Sequence, residues 1–190
     1  MIRRLAVGCL LLMSSALFAQ TVPSAEGPGG SVWVGAEVST FNPDWGCKDN
    51  SPFSCWDHQL AGIAAFGDIN RLIGRIGAEG EGRWLIWRGP GNNIKQSNYL
   101  VGPRYQVLNG RRFSLNGKVL LGGATFHEKN TWGGWFAFAP GLTVGYRLTR
   151  RLMVRGDYEY QIWPGFVGAK GANGLTPNGF SVGMSYRLFR

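Results

Sequence analysis

One stretch limits the folds open to this chain more than any other. Between Arg75 and Trp84 the sequence reads RIGAEGEGRW, with charges at Arg75, Glu79, Glu81 and Arg83 and none at Ile76, Ala78, Gly80, Gly82 or Trp84. Successive side chains of an extended strand point to opposite faces, so every charge here shares one side. A helix is disfavoured, because each glycine costs about 1 kcal/mol in a helix interior. The remaining question is which face meets water.

The same period of two recurs almost throughout the chain after residue 30. Strands are expected over Ser31–Phe41, His58–Gly67, Arg71–Trp87, Ile94–Leu108, Phe113–Phe126, Trp135–Leu148, Leu152–Ile162 and Gly179–Phe189, with the facing of His58–Gly67 ambiguous. The connections alternate. Short ones fall near 67–71, 108–112 and 148–151, the second carrying the hairpin signal Asn109-Gly110. Long ones fall near 42–57, 87–93, 127–134 and 163–178 and are rich in Gly, Asn, Pro, Trp and Lys. Thirty glycines suit twisted strands and tight turns. An all-β, eight-stranded antiparallel up-and-down barrel follows.

Side-chain size decides the facing. One face carries Glu37, Arg75, Glu79, Glu81, Arg83, Arg104, Lys118, Arg147, Arg155, Asp157, Glu159 and Arg187 among Gly, Ala, Ser and Thr, while the other carries Val, Leu, Phe and Tyr, with Pro103 and Pro140 in mid-strand. An eight-stranded interior is just wide enough for side chains to fill it. The seven cations and five anions of this list must therefore pair across strands as a lumen charge network. The apolar band then faces lipid, making the barrel transmembrane. Aromatic girdles are expected from Trp84, Trp87, Tyr99, Trp132 and Trp163 at the long-loop end and from Tyr105, Phe113, Tyr146 and Tyr186 at the short-turn end. The alternative, a soluble ligand-binding barrel, would put Phe136, Phe138, Val144, Tyr158 and Tyr160 in its core and leave an unusually Gly- and Ala-rich surface.

Residues 1–19 read as a cleaved signal peptide. Arg3 and Arg4 precede the apolar run Leu5–Phe18, and small residues place cleavage after Ala16 or Ala19. Residues 20–30 form a short periplasmic segment and 31–190 the barrel. Removing the two arginines lowers the formal charge from +9 to +7. The basic residues do not gather on one face, which argues against a nucleic-acid partner. Cys47 and Cys55 are expected to form a disulfide, since they lie eight apart in an exported chain. A metal site would need two more soft ligands, and neither a metal nor a cofactor is expected. Arg155–Asp157 spells RGD, but its mid-strand place argues against adhesion.

The pattern resembles the eight-stranded outer-membrane barrels of the OmpA-like and OmpX-like kind over nearly all of the mature chain. The last strand, GFSVGMSYRLFR, is similar to the carboxy-terminal signal read by the barrel-insertion machinery, with Leu188 in the lipid-facing phase and Phe189 out of it. The resemblance implies a Gram-negative-type outer membrane, periplasmic termini, contact with outer-membrane lipid and lipopolysaccharide, and a surface ligand at the loops. Relatives often add a peptidoglycan-binding domain, and none is implied here. The expected role is structural or surface-interaction, with a charged, mostly plugged lumen and four surface loops. A narrow pore is the second reading. A lipid A-modifying enzyme is the third, resting on His127 beside Glu128 and His58 beside Asp57, because a serine nucleophile needs a base.

Overall fold

The computed structural model describes residues 30–43, 59–89, 92–128, 131–167 and 173–189. The expected signal peptide, the residue pair Cys47 and Cys55, and His58 lie outside them. Among the described residues there is no helix. Ten strands follow in order: β1 (Ser31–Asn42), β2 (Leu60–Ile73), β3 (Ile76–Gly89), β4 (Asn92–Asn109), β5 (Phe113–Glu128), β6 (Thr131–Arg147), β7 (Leu152–Tyr160), β8 (Trp163–Val167), β9 (Asn173–Leu175) and β10 (Asn178–Phe189). Eight of them close a barrel in the order β1-β10-β7-β6-β5-β4-β3-β2, and β8 and β9 pair separately. Every barrel pair is antiparallel.

The facing is that of a membrane barrel. Val38 (66% exposed), Val101 (64%), Phe180 (62%) and Ile63 (59%) stand on the outside, while Glu79, Arg83, Arg155 and Glu159 are buried inside. Such an apolar exterior needs hydrocarbon around it. β2 resolves in the same sense, with Leu60, Ala64, Phe66 and Asp68 inward.

The β2–β3 turn corrects the sequence reading. A turn was expected near 67–71, but β2 runs on to Ile73 and the chain reverses at Gly74–Arg75, where Gly74 has a φ of 62°. The register slips between Ile69 and Ile73, so residues 70–72 bulge, and Arg71 takes a φ of 59° that non-glycine residues rarely adopt. Arg75 is therefore exposed on a turn and does not belong to the lumen.

Two of the expected long loops are also shorter than their composition suggested. Only residues 90–91 separate β3 from β4, and 129–130 separate β5 from β6. β4 has 18 residues, well beyond the roughly 9–11 that a tilted spanning strand needs. β6 pairs with β7 only from Gly141 to Arg147, with one further bridge at Phe138–Ile162. The upper parts of β3–β6 thus project as a four-stranded sheet. At the mid-strand proline Pro103 the β4–β5 ladder skips from Val101 to Arg104, as a residue without an N–H requires.

Closure is made by β1 and β10, and it carries a bulge. Val32 lies opposite Phe189 while Trp33 lies opposite Arg187, which leaves Leu188 as the extra residue. The bulge turns Phe189 to the face of Val32, outward, so an aromatic reaches the lipid side although simple alternation put it out of phase.

Candidate functional site

The inward side chains sort into three tiers along the barrel axis. The middle tier is an ion lattice of six carboxylates and four bases among the described residues. Lys118 on β5 sits at its centre, its Nζ reaching Glu79 (3.2 Å), Glu81 (3.0 Å), Asp157 (3.0 Å) and Glu159 (3.1 Å). Arg155 on β7 binds Glu37 (2.8 Å), Asp68 (3.3 Å), Glu79 (2.5 Å) and Asp157 (2.8 Å). Arg83 pairs with Glu81 and Glu159, both at 2.9 Å. Arg104 pairs with Asp68 and with Glu79. Thr143 donates to Asp157 (2.7 Å), which ties β6 into the lattice.

Local sequence explains why these groups fit. Inward positions of β3 and β7 supply three charges each at a spacing of two, and the opposite strands answer with small residues. A Cβ on Gly141 would come within 2.9 Å of the Lys118 Cε, and one on Gly183 within 2.6 Å of the Glu37 Cγ. The guanidinium of Arg155 also lies 4.0 Å over the Phe66 ring and that of Arg83 4.4 Å over Phe41, where cation–π attraction supports the buried charge.

The tier toward the loop end is mainly apolar, with Gln96 and Asn98 buried in it as well. Phe41, Leu60, Leu85, Leu120, Phe126 and Trp163 belong to one buried cluster there. The β8–β9 hairpin closes it: Trp163 stacks on Trp135 (6.4 Å, 15°), and Phe166 packs against Trp135 at 4.6 Å. The two tiers are joined by hydrogen bonds, the Trp163 indole donating to Gln161 (2.9 Å) and the Gln161 amide to Glu159 (2.6 Å).

The third tier is the short-turn mouth. Arg147 and Arg187 are half-buried there and stand apart from the ion lattice. Arg147 donates instead to Asn109 (2.8 Å) and to the carbonyls of Gly110 and Arg111. Arg187 lies 5.7 Å from the Trp33 ring centre.

The structure therefore brings nine of the twelve sequence-assigned charges into the lattice, leaves Arg147 and Arg187 at the mouth and puts Arg75 outside. It adds Asp68, which the sequence reading lost inside an expected turn. Of the girdle residues, Trp84, Tyr99, Tyr105, Phe113, Trp132, Tyr146 and Tyr186 face outward, and the Trp84 indole donates to the Tyr99 hydroxyl (3.0 Å). Trp163 and Trp87 do not. Trp163 is fully buried in the cap, and Trp87 packs against the same cluster from the inward face of β3. His127 is exposed on β5, across the ladder from Lys95 and Trp132.

Residues 8–187 match the family model described as outer membrane protein beta-barrel domain. No curated protein matches the chain. Among solved structures, Ail, the attachment invasion locus protein of Yersinia pestis, is 16% identical and superposes with a TM-score of 0.50 over 84% of this chain and 97% of its own. OprG from Pseudomonas aeruginosa is 14% identical, with a TM-score of 0.55 over 85% and 97%. Neisserial surface protein A is 12% identical, with a TM-score of 0.54 over 84% and 97%. At these identities the likeness is one of fold.

Proposed function

The chain belongs to the outer membrane β-barrel family, and from that membership we propose that it is a closed barrel whose working part is its cell-surface end. One observation carries this reading: two packed layers fill the lumen, the ion lattice and the apolar cluster under β8–β9. Opening a path past Lys118, which four carboxylates hold, would break several charged contacts at once. The projecting β3–β6 sheet, with Trp132 80% exposed at its tip, supports a role in contacting a ligand or neighbouring lipopolysaccharide. The outward Phe189 supports handling of the last strand by the insertion machinery.

Planar-bilayer recording tests the reading. The wild-type barrel is expected to give no current steps above the lipid baseline. Reproducible steps would replace the closed scaffold with a narrow pore. The proposal includes no acyl-transfer chemistry, because the residues opposite His127 are Lys95 and Trp132 and not a serine nucleophile. Lipopolysaccharide incubated with the protein is expected to keep its acyl chains by mass spectrometry, and any gain or loss would restore the enzyme reading.

A further inference from the structure

We propose that the periplasmic mouth of the barrel is a binding site for a small anion carrying several phosphate groups. A cavity of about 910 Å³ opens there, within the size of ordinary ligand pockets, roughly 300–1,000 Å³. Arg71, Arg111, Arg112, Arg147, Arg150 and Arg187 line it, and no aspartate or glutamate does. They come from four places around the rim: the β2 bulge, the β4–β5 turn, the end of β6 with the turn after it, and β10. The floor is Arg104, whose charge is already met by Asp68 and Glu79. Behind it lies the ion lattice, so on the closed-barrel reading proposed above the cavity is a dead end suited to binding and not to passage.

The cavity is also shaped in advance. Arg147 is braced by Asn109 and two turn carbonyls, Arg187 rests on Trp33, and the left-handed backbone at Arg71 holds that residue at the rim. Six like charges around one opening repel each other, and an anion reaching several walls at once relieves that repulsion. Guanidinium forks pair with phosphate bidentately, and a ligand with one charge would satisfy only one wall. A soluble oligophosphate and the two-phosphate headgroup of a cardiolipin-type phospholipid share this chemistry.

The test is calorimetric titration of the refolded chain in zwitterionic micelles with sodium tripolyphosphate. One anion per barrel is expected, with affinity falling as salt rises because screening is effective at this exposed mouth. The variant R111Q/R150Q, both positions in exposed turns, is expected to weaken binding about tenfold or more. R75Q/R151Q is the control, since neither residue lines the cavity, and it is expected to bind as wild type. Repeating the titration in nanodiscs with cardiolipin, which carries two phosphates, identifies the source of the phosphate. Competition lost in R111Q/R150Q assigns the site to a headgroup, and undiminished tripolyphosphate binding assigns it to a soluble anion. Absence of heat at low salt, or equal weakening by both double variants, would overturn the proposal.

Discussion

Replacing Lys118 with methionine is the sharpest probe of the lumen. The side chains are of similar length, so packing is kept while the ammonium is lost. Four carboxylates within 3.0–3.2 Å lose a shared partner. Glu79 and Asp157 keep Arg155, and Glu81 and Glu159 keep Arg83. The result is excess negative charge in a dry interior and not four isolated ions. Removing one member of a buried pair costs about 3–5 kcal/mol, and a cation shared by four acids belongs at the upper end, about 5 kcal/mol. With a urea slope of about 2 kcal/mol per molar, the unfolding midpoint in lipid vesicles should fall by about 2.5 M. Tryptophan fluorescence and the boiled-against-unboiled gel shift read the transition. The double variant Lys118→Met/Glu81→Gln should recover part of the loss. A single-variant midpoint within about 0.5 M of wild type would refute the view that the lattice holds the lumen together.

Other substitutions separate the structure from simpler readings. Asp68→Asn should cost about 3 kcal/mol by leaving Arg104 and Arg155 short of a partner, while Arg75→Gln should leave the urea midpoint unchanged; the reverse order would put the turn back at 67–71. Trp163→Ala should destabilise by about 3–5 kcal/mol, as expected of a core residue, whereas an interfacial tryptophan would show a far smaller change in the same urea titration. Phe189→Ala should slow machinery-assisted assembly in a time course, and deleting Leu188 should not, because the deletion removes the bulge and keeps the aromatic outward. Loss of assembly on the deletion alone would show that the outward aromatic is not what is read.

The barrel was legible because the middle stretches of most strands keep a strict alternation: Val34, Val38, Val101, Phe180 and Val182 reveal the phase by themselves. Where both faces of a strand are small or apolar, the signal fails. β2 places Leu60, Ala64 and Phe66 inward and Ala61, Ile63 and Ala65 outward, so only Asp68 marks the lumen side. Asp68 is followed by Asn70 and Arg71, which look like turn residues. One misplaced turn thus hid Asp68 and put Arg75 inside. Trp87 shares its parity with Arg83 and Leu85, so phase pointed inward while its position near a strand end suggested an interface. Trp163 escaped for another reason: the chain leaves the β7 ladder at Gln161, and no strand period extends into the cap. The Gly and Asn content near 87–93 and 127–134 suggests long loops, but cross-strand pairing continues as far as Gly89–Asn92 and Glu128–Thr131.

The closing pair, β1 with β10, has a consequence for the order of assembly. Lattice charges come from β1, β2, β3, β4, β5 and β7, and the ion pairs of Arg155 reach Glu37 on the first strand and Glu79 on the third. Until Val32–Asn42 lies along Asn178–Phe189, the sheet is open and its ten ionisable groups line one bare face. Each charge set against hydrocarbon costs about 2.5–3.5 kcal/mol even on the lenient scale. A flat, half-inserted sheet is therefore far uphill. Bilayer entry and ring closure must advance together, with the charges kept wet on the inside of the curling sheet until the last seam expels the water.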